Sequence, residues 1–448
     1  MRIALVVLLM IWGNLCCGQM PQQTPGIGSG ELNAESTYFN SLDSVDELKA
    51  ETFAPAKGVQ PDSEPSKVFD PTAKLTGFFH LDMGYYGQDA ANVLTLGDIE
   101  DSLGFRRARL AAKGRVTEST EYILEFDIAQ AQARFVDVWM QFNKTKFGNI
   151  RIGRFRQPYG MSELTSVREL PFLERPLTFA LSPFRQTGVM LFDHSKDENR
   201  TWAIAGYRYL SDNFGNVYSD GGYGLSTRLT ALPISWGDER HFHVGVDYSV
   251  SSPGRGQVLF VSTNEFFGAQ NPNIGLASLS VLPIVGVPPF VNTGRLDADL
   301  DQFFNVEMAL ALGRMAVQSE TRWTQVEQTG GGTLTFPAAY LLTRFMLTGE
   351  KIPYSKSNGT FGRIEPARPV ASQCGGPGAW ELTGRISYID LNDANVSGRR
   401  LTDFTVGLNW YLNKYSKLQC NWINSQLNDA VIGDSVANTF AMRAQLDF

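Results

Sequence analysis

The stretch TFAMRAQLDF, residues 439–448, sorts by parity. Phe440, Met442, Ala444, Leu446 and Phe448 fall on one side, and Thr439, Ala441, Arg443, Gln445 and Asp447 on the other. Alternation at every second residue is the period of a strand with one apolar and one polar face. The pattern runs back through the chain. Phe404, Val406, Leu408, Trp410 and Leu412 alternate with Thr405, Gly407, Asn409, Tyr411 and Asn413. Phe242, Val244, Val246, Tyr248 and Val250 alternate with His241, His243, Gly245, Asp247 and Ser249. Val136, Val138, Met140 and Phe142 alternate with Asp137, Trp139, Gln141 and Asn143; Tyr122, Leu124, Phe126 and Ile128 alternate with Ile123, Glu125, Asp127 and Ala129.

About sixteen such segments lie between Lys74 and Phe448, near 74–87, 104–116, 120–129, 134–143, 148–157, 187–194, 201–211, 222–233, 240–251, 299–313, 315–327, 333–348, 379–391, 402–413, 416–426 and 437–448. Very short turns such as 412–415 and 313–314 join some pairs, and longer connections at 88–103, 252–298 and 350–378 join others. Short turns at one end and long loops at the other are the plan of an outer-membrane barrel, with Tyr85, Tyr86, Tyr209, Trp410, Tyr411 and Trp422 placed for interfacial aromatic girdles. The competing architecture is a soluble sandwich or propeller, whose apolar face packs on a second sheet. Against it stand an export leader, the lack of a blade-length repeat, and an alternating strand that closes on Phe448. The expectation is therefore an all-β, transmembrane, antiparallel up-and-down β-barrel of about sixteen strands.

The leader is residues 1–18: Met1-Arg2, an apolar run from Ile3 to Trp12, then small residues before Gln19. That run is shorter than the roughly 20 residues a spanning helix needs. A lipoprotein leader is the rival, but Gly13-Asn14-Leu15 before Cys16 lacks the Leu-small-small pattern. Beyond the leader only Cys374 and Cys420 remain, which excludes a disulfide scaffold. Residues 19–70 are an acidic Pro/Ser/Gln-rich linker without enough apolar surface to order itself. The whole chain carries −7; the linker holds nine acids against three lysines and Arg2 adds one cation, which leaves −2 for the barrel domain, residues 71–448. In that domain Pro283, Pro288 and Pro289 break the best apolar run, so no helix is expected to span a membrane.

Positive charge is concentrated early in the domain. On 105–116, Arg107, Arg109, Lys113 and Arg115 share one parity, and Ala108, Leu110, Ala112, Gly114 and Val116 the other. A cation facing lipid costs about 2–4 kcal/mol at mid-bilayer, so these four are expected to face the lumen. Arg106 falls on the apolar parity and is expected at the strand's end. Residues 148–186 add Arg151, Arg154, Arg156, Arg168, Arg175 and Arg185 against Glu163, Glu169 and Glu174. Three of those arginines lie in RELPFLERPLTFALSPFRQTG, residues 168–188, with Leu170, Phe172, Leu173, Leu177, Phe179, Leu181 and Phe184. The segment is too apolar for a surface loop and too charged for a core.

Several stretches together resemble the phosphate-selective porin O and P family: FRRARLAAKGRV (105–116), YILEFDIA (122–129), IRIGRFRQPYGM (150–161), FMLTGEKIPY (345–354), GAWELTGRISYIDLND (378–393) and VGLNWYLNKYSKLQ (406–419). The segment 168–188 also matches, through Phe172-Leu173-Glu174-Arg175, Pro183-Phe184-Arg185 and Gly188. The resemblance implies a sixteen-stranded homotrimeric barrel that conducts anions such as phosphate. It also implies that the third external loop, residues 158–187, folds into the lumen as an anion-binding constriction. The pore-lining candidates are then Arg107, Arg109, Lys113, Arg115, Arg168, Arg175 and Arg185, with Phe172, Glu174, Pro183 and Gly188 shaping the loop. For the arginines the alternative is internal pairing, as of Arg175 with Glu174 or Glu169. The chain departs from the family's arginine ladder in 252–298, which offers only Arg255 and Arg295, so the preferred anion stays open. A general or organic-solute diffusion porin and a surface scaffold barrel are the alternatives. No cofactor, metal, nucleic acid or catalytic residue is implied. His241 and His243 share a face without a third ligand nearby, and His80 and His194 have no nucleophile motif beside them.

Overall fold

A strand that is apolar on one side can cross lipid only if every backbone group is paired and no edge is left open, and closing the sheet meets both conditions. The computed structural model describes residues 69–448, apart from 130–132, 210, 219, 238, 268–286 and 371–374. The leader and all of the linker before residue 69 lie outside the described residues.

In chain order come β1 (Lys74–Gln88), helix α1 (Ala90–Leu96), β2 (Ser102–Arg115), β3 (Thr120–Asp127), β4 (Arg134–Thr145), β5 (Gly148–Arg156) and a single helical turn, α2 (Met161–Leu164). Then follow β6 (Arg185–His194), β7 (Arg200–Tyr209), β8 (Gly222–Ser235), β9 (Arg240–Ser252) and three two-residue strands, β10 (Gln257–Val258), β11 (Val261–Ser262) and β12 (Val291–Asn292). The second half holds β13 (Leu296–Leu312), β14 (Met315–Gln328), β15 (Thr333–Met346), the short pair β16 (Tyr354–Ser355) and β17 (Thr360–Phe361), then β18 (Ala379–Asp393), β19 (Val396–Tyr411), β20 (Ser416–Asp429) and β21 (Gly433–Asp447).

The sixteen long strands each pair antiparallel with their neighbours, and β1 pairs with both β2 and β21, which closes the barrel. At the seam Phe79 stands opposite Leu446 and Tyr85 opposite Phe440. Gly77 and Phe448 exchange backbone hydrogen bonds of 3.0 Å, so the final residue is stitched into the wall. All sixteen expected segments are strands. Burial is inverted relative to a soluble protein: on β21 Phe440 is 56% exposed and Leu446 41%, while Arg443 is 2% exposed. The apolar parity faces outward and the polar parity lines the interior, the arrangement of a lipid-embedded wall.

Strand alternation fixes which end each connection occupies. At the end where β1 starts and β21 finishes lie 116–119, 146–147, 195–199, 236–239, 313–314 and 412–415, all short. This turn end is the periplasmic one in outer-membrane barrels. The expected division into a short-turn end and a long-loop end holds only in part. Residues 347–378 are a long connection at the turn end, and 329–332, 394–395 and 430–432 are short ones at the loop end.

The lumen is occupied by three inserted segments. From 157–184, the backbone at Leu170, Pro171 and Leu177 is bonded by Lys417, Gln419, Asn409 and Ser387 of the β18–β20 wall. From 253–295, Glu265 N–H donates to Asp403 and Thr439 accepts from Asn264. From 347–378, Arg228 donates to the Asn358 and Gly359 carbonyls. Leu173, Leu177 and Leu181 of the first segment and Phe260, Phe266 and Phe290 of the second share one apolar core with Phe303 and Phe336 of the wall. An apolar core inside a polar wall explains why 168–188 mixes leucine, phenylalanine and arginine.

Candidate functional site

The loop 157–184 enters the barrel at Gly160, whose φ of +71° suits glycine and whose added Cβ would strike the Glu163 and Arg322 side chains. Gly160 N–H donates to Asp247 at 2.8 Å and Ser162 N–H to Glu320 at 2.7 Å. Arg322, fully buried, then clamps Glu163 at 2.5–2.7 Å and Glu320 at 2.6 Å.

Glu174 is the second anchor. Its carboxylate accepts from Arg106 at 3.0 Å, Arg107 at 2.8 and 3.1 Å, and Arg443 at 2.9 Å, and Arg443 also holds Asp82 at 2.6 Å. Arg106 reaches this hub because β2 bulges there: His80 pairs with Arg107 and Leu81 with Phe105, so Arg106 is the extra residue. The bulge turns two consecutive arginines inward, which corrects the expectation that Arg106 stands at a strand end on the apolar face. Glu265, from 253–295, completes the set by pairing with Arg385. Loop carboxylates thus neutralise wall arginines, a buried arrangement that fixes geometry more than it stabilises.

The other expected residues have the following places. Phe172 is fully buried against Tyr340 and Leu342, with Arg385 4.2 Å above its ring. Arg175 donates to the Ser162, Glu163 and Thr165 carbonyls at 2.7–3.1 Å. Arg185 forms a fork with Asp137 at 2.9 and 3.3 Å. The Pro183 carbonyl accepts from Gln186, and an added Cβ on Gly188 would lie 2.2 Å from the Gly206 carbonyl, so only glycine lets β6 and β7 approach there. Arg109 pairs with Asp127 at 3.0 Å, and its guanidinium lies 5.5 Å over the Phe78 ring. Arg168 also lies over Phe78, at 4.9 Å. Lys113 is exposed near the turn end, and Arg115 pairs with Glu121 at 3.4 Å with its side chain 56% exposed.

Charge is unevenly matched across the lumen. Around the rest of the wall Arg228 of β8 pairs with Glu307 at 2.7 Å, Arg322 of β14 with two glutamates, and Arg344 of β15 with Glu381 at 2.7 Å. On the near wall, β4–β7, and in the inserted loop four arginines have no carboxylate within 4.0 Å among the described residues. Arg156 bonds only the Glu163, Leu164 and Thr165 carbonyls, and Arg175 shares that carbonyl cluster. Arg151 bonds only Gln141, at 2.6 and 2.9 Å, and the Arg168 guanidinium rests on the Phe78 ring. A cavity of about 470 Å³ opens between this wall, the inserted loop and residues 355–362, with Arg151 and Arg156 in its lining.

Parity makes Arg151, Arg228, Arg322, Arg385 and Arg443 legible as inward-facing, but nothing in sequence marks which ones meet a loop carboxylate. Arg154, counted with the luminal cations, shares the face of Val138 and Thr187 and donates to Ser211. That face is the outer one, with Val189 exposed beside it, and the turn at 211–216 shelters the guanidinium. His243 accepts or donates at 2.6 Å with Tyr354, and His241 at 3.0 Å with Ser235.

A closed sixteen-stranded barrel, apolar outside and charged within, with loops folded into its lumen, is an outer-membrane porin. The chain belongs to the phosphate-selective porin O and P family, whose description matches residues 74–258 and 289–448. It is 20% identical to Porin O of Pseudomonas aeruginosa over 386 residues, 79% of this chain and 83% of that protein. It is 26% identical over 355 residues, 76% of this chain, to an uncharacterised protein of Caulobacter vibrioides, and spans 66% of that protein, just under two thirds. Among solved structures it is similar to an anion-selective porin from Comamonas acidovorans, at TM-score 0.50 and 12% identity over 85% of this chain and all of the other. The trimer form of OmpT from Vibrio cholerae matches at TM-score 0.50 and 10% identity, over 84% and 99% of the two chains. Those two structures bear on fold alone. The protein is a channel of the bacterial outer membrane.

Proposed function

We propose that the protein is a passive, homotrimeric, anion-selective porin, exported by the leader at residues 1–18, that passes phosphate and similar small anions. One observation carries this reading: Arg151, Arg156, Arg168 and Arg175 stand inside the lumen without a carboxylate partner within 4.0 Å among the described residues. A guanidinium stays charged at any physiological pH and offers a planar fork to phosphate or carboxylate oxygens. Several such groups in series, each held by neutral carbonyls or rings, favour entry of an anion and still allow it to leave. Lys113 stands at the periplasmic mouth and adds attraction there, beside an Arg115 that pairs with Glu121. Arg107, Arg109 and Arg185 line the same side, but their paired carboxylates make them holders of the loop first. The family's description as phosphate-selective supports the anion class, and the trimer form of OmpT, a barrel of the same fold, supports the assembly.

Planar-bilayer recording tests it. In a KCl gradient the zero-current potential should lie toward the chloride potential. Replacing Arg168 by Gln should move it toward zero. Phosphate added during chloride conduction should lower the current in a saturable way.

A further inference from the structure

The near wall has a second anomaly. A porin lumen is expected to be polar, yet the inward parity of β4–β7 carries Trp139, Phe155, Met190, Phe192, Ala203 and Ala205 packed as one apolar patch. The outward positions beside them are apolar as lipid requires, with Met140, Ile152, Val189 and Ile204 all exposed, so this short sector of wall is apolar on both faces. Trp139 and Phe192 are only partly buried and line the 470 Å³ cavity, as do Phe155 and Met190. Phe361 lines the cavity from the inserted turn-end segment.

Arg151 sits within the patch. Its guanidinium lies 4.2 Å from the Trp139 ring centroid and 5.0 Å from that of Phe192. Gln141 accepts from Nε and Nη2, and Nη1 has no hydrogen bond among the described residues. Arg156 lines the same cavity, and its Nη1 alone is engaged, by carbonyls. Ser355, Ser357, Asn358 and Thr360 supply hydroxyl and amide groups from the covering segment. A cavity of a few hundred Å³, largely apolar, with a few fixed polar groups is the usual form of a small-molecule site.

We infer that this cavity is a binding site for small organic anions that have a flat apolar body, of which aromatic monocarboxylates are the simplest class. The ring lies on Trp139 and Phe192, and the carboxylate meets the free edges of Arg151 and Arg156. An inorganic anion uses the two cations but gains nothing from the apolar wall. A neutral aromatic molecule gains the wall but not the cations. Three acids line the cavity: Asp137 is held by Arg185 and Glu169 by Arg363, while Asp193 falls on the opposite parity of β6 to Met190 and Phe192, near the turn end, and accepts from His194 N–H. The inference rests on the anion-channel reading above and adds a substrate class to it.

The test compares benzoate with acetate on the full-length protein in planar bilayers, by reduction of chloride current. Both probes carry one carboxylate, so their ratio reports the ring alone. Benzoate should block saturably at a concentration about tenfold or more below that for acetate, the factor expected when part of a ring is taken from water. Trp139→Ala should bring the ratio of half-blocking concentrations toward one, and Arg151→Gln should weaken block by both acids. Equal block by the two acids in the wild type would overturn the inference, and so would an unchanged ratio in Trp139→Ala. The wild-type comparison decides the matter even if a variant fails to assemble. A zero-current potential on the cation side would instead sink the anion-channel reading, and the two failures are separately visible.

Discussion

Glu174 shows how much one residue holds in place. Its carboxylate is shared by Arg106, Arg107 and Arg443, from two strands that flank β1. Glu174→Gln removes the only loop carboxylate those three cations share, and breaking a buried pair costs about 3–5 kcal/mol. The variant should unfold at lower temperature in detergent, show noisier single-channel current, and shift further toward anion selectivity. A quiet channel with unchanged selectivity would mean that the loop is held elsewhere. Lys113 makes the contrast, since it is exposed and forms no ion pair among the described residues. Its field is screened over about 10 Å at 0.1 M salt and about 3 Å at 1 M. Lys113→Gln should therefore alter the zero-current potential at low salt and leave it unchanged at high salt, whereas Arg168→Gln should act at both. Sequence parity made Arg107, Arg109 and Arg443 legible as inward-facing residues. It could not make the Glu174 hub legible, because its members lie on β2, β21 and a loop and meet only once the barrel has closed.

Among the elements, the strands were the legible part. Each has a period that depends only on its own residues and on the two solvents at its faces. Segment 379–391 is found as β18 (Ala379–Asp393) with Ile386 and Leu382 outward and Arg385 inward. Two elements departed from simple alternation. The β2 bulge changes parity through one extra residue at Arg106, and alternation alone carries no sign of it. Residues 350–378 read as one more of the long loops, because length does not tell which end a connection occupies; only an unbroken count of strands does. This segment is held in the lumen by the Tyr354–His243 contact, by Arg228 and by Arg363, which bonds Glu169 and Asp447. Deleting residues 355–362 should raise single-channel conductance, because it opens one side of the cavity beside Arg151 and Arg156. Unchanged conductance in an assembled channel would show that ions do not pass that way.

For the whole molecule, the deciding feature is an inversion. The interior is polar, ion-paired and crossed by loops, while the exterior is apolar. Net charge hides this: −7 for the chain says nothing about a lumen in which some arginines are paired with acids and others are not. Glu163, Glu265, Glu307, Glu320 and Glu381 answer Arg228, Arg322, Arg344 and Arg385, whereas Arg151 and Arg156 of β5 and Arg168 and Arg175 of the loop have no carboxylate within 4.0 Å among the described residues. That sorting was only half legible in sequence. The cations of 105–116 and 148–186 cluster along the chain, whereas the acids that answer the other arginines are scattered over two inserted segments and three strands.

The central claim is that the unmatched arginines make the channel anion-selective. The most direct test is the zero-current potential of the purified protein in a planar bilayer across a tenfold KCl gradient, recorded for the wild type and for Arg151→Gln/Arg168→Gln. The account predicts a wild-type potential on the chloride side that falls toward zero in the double variant. A potential on the potassium side, or one that the double variant leaves unchanged, would contradict it.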